Sequence, residues 1–149
     1  MGVPLLHIPD PWSASSSLVE TLADSLTPRW RVLSLTPRPA TAYQVWANDI
    51  VGVLNQFGFQ SPVVLGEGVA CVPVAVVAAW YPERVGRLVL VSPSVEPTAG
   101  DDPATWSLLD SPPNLAALRA RVTCDVLEVS ASDPVLVSRI EGFLAAQLP

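Results

Sequence analysis

Few residues in this chain could carry out acid–base or nucleophilic chemistry, and they stand far apart in the sequence. The single histidine is His7, at the end of a short apolar run. Glu67 lies between Gly66 and Gly68, directly after another apolar run, and Asp133 lies near the end of the chain. Histidine and carboxylate side chains are common proton carriers in enzymes, provided that the fold brings them within hydrogen-bonding distance.

Each of these residues also has a simpler interpretation. Glu67 is either a solvated turn residue or a carboxylate at the edge of a sheet, where it would act as a general base. His7 is either satisfied by backbone groups or moves protons, with Asp10 near enough in sequence to orient it. Asp133 is either the N-cap of a last helix, with Pro134 in its first turn, or a catalytic acid. The cap is the simpler explanation, because no histidine follows Asp133 for an acid to orient.

Strand and helix patterns alternate along the chain. Strands are predicted at Leu5–Ile8, Arg31–Leu35, Pro62–Leu65, Arg87–Val91 and Val122–Val129. Helices are predicted at Ser17–Leu26, Tyr43–Phe57, Val69–Trp80 and Asn114–Arg121 and after Asp133, and residues 95–113 read as a loop with a short helix. Strands separated by helices predict a three-layer α/β fold, with helices on both faces of a parallel sheet of about five strands. We expect residues 1–149 to form a single domain.

Two of the predicted helices have distinct patterns. After Thr41, apolar residues recur at alternating steps of three and four up to Phe57, which is typical of an amphipathic helix, and Gly58 stands where a left-handed residue ends it. The helix Val69–Trp80 is apolar on every side, so it should be buried.

Three segments carry a resemblance to a known family. "PVVLGEGVACVPVAVVAAWYPERVGRLVLVSPS", from Pro62 to Ser94, resembles the nucleophile-elbow region of the α/β-hydrolase superfamily. "PLLHIPDPW" resembles that superfamily's oxyanion segment, and "ASDP" resembles the turn that carries its catalytic acid. The resemblance implies a reduced hydrolase fold without a cap domain, whose strands, counted along this chain, lie in the order 2-1-3-4-5. It places Gly68 at the nucleophile position, and Pro9, which has no N–H, at an oxyanion-donor position.

These departures predict that the chain is not a serine hydrolase. Such an enzyme needs a nucleophile at the elbow, an acid, a histidine base and backbone donors for the oxyanion, and Gly68 has no side chain. "VLNQFGFQSPVVLGEGVA" is similar to the N-myc downstream-regulated family, which has a glycine at the elbow and is regarded as non-hydrolytic. We therefore expect a pseudo-hydrolase that binds a small ligand or another protein.

The alternative is an atypical enzyme of another class. A cyclase, lyase or isomerase acting on an apolar metabolite, of the kind found in biosynthetic clusters, could work by orientation and one acid–base pair, with His7 and Glu67 as the pair. A trimmed or designed minimal scaffold is a third interpretation. Under either functional interpretation the candidate ligand-binding residues are Pro9, Trp12, Gly68, Val69 and Trp106. Gly68 would either relieve backbone strain or open space for the ligand.

Composition limits the partners and cofactors. The net charge is -6 and the chain lacks lysine, so nucleic acid is not an expected partner. Hydrophobic residues make up 50% of the chain and charged residues only 15%, which favours an apolar cleft or a homodimer interface. The sequence has no phosphate-binding loop, no dinucleotide-binding glycine motif and no cluster of metal ligands, so no cofactor and no metal are expected.

The remaining sequence signals concern location and the thiols. The longest apolar run, Val69–Tyr81, is interrupted by Pro73 and is too short for a membrane span. The start of the chain does not resemble a signal peptide. We expect a cytoplasmic protein, and the arginine-rich, lysine-free composition is associated with high-GC bacteria. Cys71 and Cys124 are expected to be free thiols, because each lies in an apolar segment.

Overall fold

A five-stranded parallel sheet forms the centre of the part of the chain that the computed structural model describes, residues 3–9, 18, 30–35, 43–92 and 115–145. The strands are β1 (Val3–Ile8), β2 (Trp30–Ser34), β3 (Val63–Glu67), β4 (Arg87–Val91) and β5 (Asp125–Val129). Their order across the sheet is β2-β1-β3-β4-β5, and every neighbouring pair is parallel. The predicted fold class and strand order are confirmed.

Helices lie between the strands, as the sequence pattern predicts. The described helices are α1 (Tyr43–Gln56), α2 (Cys71–Trp80), α3 (Leu115–Arg121) and α4 (Leu136–Ala145), and short 3-10 turns lie at Gly68–Ala70 and Pro82–Arg84. The predicted segment at 95–113 and most of the helix predicted at Ser17–Leu26 lie outside the described residues, although Leu18 is helical.

The start of β5 is the clearest difference from the predicted boundaries. Val122, predicted to begin the strand, donates its N–H to the carbonyl of Arg119 at 3.1 Å and so belongs to the turn that ends α3. The strand begins at Asp125, three residues later than the apolar pattern suggests. Apolar periodicity does not distinguish the end of a helix from the start of a strand when both are apolar.

One face of the sheet packs against α1, α2 and α3. The all-apolar pattern of α2 predicts burial, and its residues from Cys71 to Ala78 are all buried. Trp46 and Ile50 of α1 are each 1% exposed and pack in the same cluster as Val64 of β3. This side of the sheet is the larger of the two apolar cores, and it holds α2 rigidly at the end of β3.

The end of α1 follows the predicted glycine cap. Gly58 has φ +69, in the left-handed region, and a Cβ added there would meet nothing within 4 Å. Phe59 donates its N–H to the carbonyl of Leu54 at 2.9 Å, and Gly58 donates to Asn55 at 3.3 Å. These two bonds form a Schellman motif, which satisfies carbonyls that the end of a helix leaves without partners.

The other face of the sheet is covered by α4 and by Leu18. Ile140 and Leu144 of α4 are fully buried against strand residues that alternate with those of the first core, including Leu5 and Leu65. Arg87 fastens the end of α4 to the sheet, because it donates to the carbonyl of Phe143 at 3.1 Å and its guanidinium lies 5.1 Å from the centre of that ring. Polar side chains on this face, at the carboxyl end of the strands, form the site described next.

Candidate functional site at the carboxyl edge of the sheet

The parallel register brings three polar side chains from three strands to one edge. His7 of β1 is paired with Ser34 of β2 on one side and with Leu65 of β3 on the other. Glu67 lies two residues beyond Leu65, so its side chain leaves the same face of the sheet. Ser34, His7 and Glu67 therefore lie side by side near the carboxyl ends of β2, β1 and β3, on the face that α4 covers.

The three side chains form a continuous line of hydrogen bonds. Nε2 of His7 lies 2.5 Å from Oε2 of Glu67, and Nδ1 of His7 lies 2.9 Å from Oγ of Ser34. His7 is 1% exposed and Glu67 is 8% exposed, whereas Ser34 is exposed. Of the two interpretations of Glu67, the solvated turn residue is therefore wrong, and the side chain is a carboxylate at the sheet edge. For His7, the interpretation that backbone groups satisfy it is wrong, because its two ring nitrogens meet side chains.

The hydrogen-bond pattern restricts where the protons lie. An ionised carboxylate only accepts, so the hydrogen on His7 Nε2 points at Glu67. With a neutral ring, Nδ1 then carries a lone pair and accepts a hydrogen bond from the Ser34 hydroxyl. With a doubly protonated ring, Nδ1 donates to the Ser34 oxygen instead. The arrangement can hold one additional proton on His7 between a buried acid and an exposed hydroxyl.

The turn after β3 has the sharp geometry of a nucleophile elbow. Gly68 has φ +59, and residues with a side chain adopt that conformation only with strain, so Gly68 does relieve backbone strain at this turn. A Cβ placed on Gly66 would lie 2.8 Å from Cγ2 of Val74 and 3.1 Å from the carbonyl oxygen of Ala70. Gly66 therefore allows β3 and α2 to pack closely, whereas Gly68 allows the chain to turn.

Glu67 lies at the amino end of the helical segment that begins with Gly68. Glu67 has an extended backbone, with φ -117 and ψ 137, and its side chain makes no capping hydrogen bond to the helix. Its described hydrogen bond goes to His7 instead. The amino end of a helix favours a nearby negative charge, so the position suits a carboxylate that faces the edge.

Asp133 belongs to the cap of α4, as the simpler interpretation predicts. Its Oδ1 accepts the N–H of Val135 at 2.9 Å, and its Oδ2 pairs with Nε of Arg139 at 2.7 Å. It follows β5, which is separated from β3 by β4, so the two strands are roughly 10 Å apart. The structure does not bring Asp133 together with His7 and Glu67.

Of the remaining predicted site residues, the structure describes only Val69 and Pro9. Val69 is fully buried in the core beneath α2, so its side chain does not face the edge. Pro9 directly follows β1 at the carboxyl edge and is partly buried. Trp12, Trp106 and the suggested partner Asp10 lie outside the described residues.

Ser34 is the residue of this site that the sequence analysis did not identify. It is the last residue of β2 and the last but one of the predicted strand, in a segment without any enzyme-like motif. The available signal was positional: the predicted strand order makes β2 the neighbour of β1, so the last polar residue of β2 lies beside His7.

Cys71 directly follows the short 3-10 turn at Gly68–Ala70. The thiol of Cys71 is buried and donates to the carbonyl of Gly66 at 3.2 Å. Across the described ranges, no group of three or more histidine, cysteine, aspartate or glutamate side chains is placed to hold a metal ion.

A concave region lies at the opposite, amino edge of the sheet. It is an open pocket of about 440 Å³ between the end of α1 and the turn before β4. Arg84 crosses it, donating to Oδ1 of Asn55 at 2.7 Å and to the carbonyl of Phe59 at 3.2 Å. These bonds join the 3-10 turn at Pro82–Arg84 to the end of α1 and to the segment that follows it, which is a structural role for Arg84.

Solved structures with this fold are α/β-hydrolase enzymes. The N-formylmaleamic acid deformylase of Pseudomonas putida S16 aligns with a TM-score of 0.65 and 14% identity, over 95% of this chain and 81% of the deformylase. MGS-MChE2, an α/β hydrolase from the metagenome of lagoon sediments at Mar Chica, Morocco, aligns with a TM-score of 0.65 and 10% identity, over 99% of this chain and 89% of that enzyme. The chain therefore has the α/β-hydrolase fold.

Other enzymes with this fold are much longer. A probable hydrolytic enzyme from Pseudomonas aeruginosa PAO1 aligns with a TM-score of 0.52 and 22% identity, over 62% of this chain but only 33% of that enzyme. This chain thus spans about a third of that enzyme's length. No family model matches the chain, and neither does any curated protein sequence.

Among the helices in the described ranges, none is long and apolar enough to cross a membrane.

Proposed function

We propose that the elbow of this hydrolase fold does not attack a substrate and instead binds a small apolar ligand. The observation that carries this proposal is Gly68, which keeps the positive φ of the elbow and has no side chain. A missing side chain at the tip of a strand-to-helix turn leaves room beside the sheet edge, where open α/β sheets bind their ligands.

The charge pattern supports an apolar ligand. Charged residues make up only 15% of the chain, and the two described polar groups deepest at the edge, His7 and Glu67, are bonded to each other. A ligand at Gly68 would meet few charges. Pro9 and the indoles of Trp12 and Trp106 are the other groups proposed to contact it.

The test fills the space beside the elbow and measures binding of a defined probe. The wild-type protein should bind 1-anilinonaphthalene-8-sulfonate at one saturable site, and Gly68→Leu should weaken this binding by about tenfold or more. Gly58→Leu is the matched control, because Gly58 also has a positive φ, +69, and nothing lies within 4 Å of an added Cβ. Equal binding by wild type and Gly68→Leu, with both proteins folded by circular dichroism, would exclude the elbow as the site.

A second candidate function is general acid–base catalysis on an apolar metabolite, by a cyclase, lyase or isomerase. It is favoured by one observation, the 2.5 Å contact between His7 and Glu67 at the edge where substrates of this fold bind. A pair of titratable groups in close contact can hold and release a proton during a reaction.

The ring opening of 5-nitrobenzisoxazole tests this second candidate, because the reaction needs only a positioned base in an apolar site. Wild type should accelerate it, and Glu67→Gln and His7→Ala should each abolish the acceleration. Asp133→Asn is the control and should leave the rate unchanged, because Asp133 belongs to the cap of α4. A rate that is the same in all four proteins would exclude catalysis by the pair.

We also propose that the protein forms a homodimer. The large apolar side chains that the structure leaves exposed include Phe57 (42%), Trp80 (52%) and Tyr81 (37%). Phe57 follows α1, Trp80 ends α2 and Tyr81 follows α2. Both helices run back from the carboxyl edge to the amino edge of the sheet, so these side chains lie at the amino edge. A cap domain would lie over the carboxyl edge instead. Size-exclusion chromatography with light scattering tests this proposal, and a monomer mass at micromolar concentration would contradict it.

A further inference from the structure

The line of contacts Glu67–His7–Ser34 has the order of a serine nucleophile with its base and its acid. We propose that Ser34 is a nucleophilic serine, displaced from the elbow to the carboxyl end of β2. A carboxylate holds one nitrogen of the imidazole at 2.5 Å, and the other nitrogen lies 2.9 Å from an exposed hydroxyl. Such a triad is recognised by the geometry and roles of its members, whatever their positions in the sequence.

The proposed acid and base are buried and the proposed nucleophile is exposed, as this role requires. Glu67 and His7 are shielded from solvent, at 8% and 1% exposure, so their hydrogen bond does not compete with water. Ser34 is exposed, so its oxygen can meet an external substrate. A buried hydroxyl could not reach an external substrate, and an exposed hydroxyl without a base and an acid beside it would be unreactive.

The two nitrogens of His7 have the roles that the reaction needs. With Nε2–H donated to the Glu67 carboxylate, the neutral ring presents a lone pair on Nδ1 to the Ser34 hydroxyl. Glu67 holds this tautomer and stabilises the positive ring that forms when His7 takes the proton. The reaction needs one nitrogen that is held protonated and one that accepts, and here these are Nε2 and Nδ1.

The substrate class is a carboxylic ester or thioester. Ser34 Oγ forms a bond to the acyl carbon while its proton passes to His7 Nδ1, and the carbonyl electrons move onto the oxygen. The tetrahedral intermediate then expels the alkoxide or thiolate, which takes the proton from His7 and leaves an acyl-Ser34 ester. Water attacks this ester and gives one proton to His7. Collapse of the second intermediate returns that proton to Ser34 Oγ and releases the carboxylic acid.

This inference goes beyond the proposed function, because it places a covalent reaction on β2 and leaves the elbow without a role in it. The two are tested by different measurements. Failure of Ser34 to react leaves probe binding beside Gly68 untouched, and the labelling of Ser34 is measured in proteins that keep Gly68.

The experiment uses a fluorophosphonate probe, whose phosphorus reacts with activated serine hydroxyls and loses fluoride. The full-length protein is incubated with the probe, and labelled peptides are identified by mass spectrometry. We expect one adduct, on the peptide that contains Ser34, and no adduct in Ser34→Ala. Glu67→Gln should slow labelling by about 100-fold, the scale of general-base assistance.

Ser132→Ala is the matched control. Ser132 is also an exposed serine at the carboxyl edge, but its hydroxyl contacts Oγ of Ser130 at 2.8 Å instead of an imidazole. Its removal should leave the labelling rate unchanged. Labelling of a different serine, or no labelling of wild type under conditions that label a known serine esterase, would overturn the proposal. Labelling of Ser34 at the same rate in wild type and a folded Glu67→Gln would also overturn it.

Discussion

Nε2 of His7 and Oε2 of Glu67 lie 2.5 Å apart, although the two residues are separated by 60 positions in the sequence. The pair is buried on the face of the sheet that α4 covers, and each side chain is the hydrogen-bonding partner of the other. A buried ionisable group that loses its partner lowers the free energy of unfolding by roughly 3–5 kcal/mol. The pair therefore contributes to folding as well as to any chemistry at the edge.

Removal of one partner of the pair should destabilise the protein strongly. Glu67→Ala leaves His7 buried without its acceptor, and we expect the free energy of unfolding to fall by about 3 kcal/mol. Glu67→Gln keeps an acceptor oxygen for Nε2–H, so its cost should stay below about 1.5 kcal/mol. Urea denaturation followed by circular dichroism measures both values.

Glu83→Ala is the control for this pair of variants. Glu83 is exposed, so its replacement should change stability by less than about 0.5 kcal/mol. A change equally small for Glu67→Ala would show that the contact between His7 and Glu67 does not stabilise the fold.

Gly66 should not tolerate even one added methyl group. The Cβ of Gly66→Ala would approach Cγ2 of Val74 to 2.8 Å and the backbone of Cys71 to 3.2 Å, and α2 would have to move away from β3. We expect a loss of about 1–3 kcal/mol of stability from this overpacking.

Gly52→Ala is the matched comparison, because Gly52 lies within α1 and an added Cβ meets nothing within 4 Å. There the alanine should stabilise the protein by about 0.5–1 kcal/mol, through its better helix propensity. Thermal unfolding of the two variants should therefore shift in opposite directions. A shift in the same direction would contradict the close contact of β3 and α2 at Gly66.

Asp133 should matter for stability and not for chemistry at the edge. Asp133→Ala removes the acceptor of the Val135 N–H and should cost about 1 kcal/mol. Asp133→Asn keeps that acceptor and loses only the ion pair with Arg139, whose side chain is 57% exposed, so it should cost less than about 0.5 kcal/mol. Chemical denaturation distinguishes the two. Loss of fluorophosphonate labelling in Asp133→Asn would instead return Asp133 to the role of a catalytic acid.

The two thiols should differ in reactivity. Burial raises the pKa of the Cys124 thiol, the nearby charge of Asp125 raises it further, and a backbone hydrogen bond only partly offsets these effects. Because the thiolate is the reactive form, alkylation of Cys124 by iodoacetamide at pH 8 should be roughly three- to tenfold slower than in the unfolded chain.

Cys71 is fully buried and should be alkylated only when the protein unfolds. Asp125→Asn should speed the reaction of Cys124 and leave that of Cys71 unchanged. Mass spectrometry of both cysteine peptides over time gives the two rates. Equal rates for Cys124 in native and unfolded protein would contradict the burial of its thiol.

Local sequence patterns predicted the secondary structure elements because each of those patterns acts over a few residues. The apolar steps of α1 and the glycine that ends it are read within one or two turns of helix. The boundary of β5 was misplaced for the same reason, since Val122 is apolar in either a helix end or a strand. The positive φ of Gly68 was also predictable, because a sharp strand-to-helix turn favours glycine.

Partners from separate strands could not be assigned in the same way. Glu67 looks like a solvated turn residue in the sequence, because an isolated acid at a turn is usually exposed to solvent. Its burial depends on His7, which reaches it across the pairing of β1 with β3. Ser34 is an ordinary serine until the pairing of β2 with β1 places it beside the same ring.

The sequence by itself determined the α/β class, the glycine at the elbow and the small set of side chains capable of acid–base chemistry. The tertiary structure alone decided that His7 meets both Glu67 and Ser34, whereas the cap role of Asp133 is local and was predicted from the sequence. The physical reason is the register of parallel strands. Their pairing depends on crossover helices and on two cores built from the whole chain, so contacts 27 and 60 residues apart leave no local trace in the sequence.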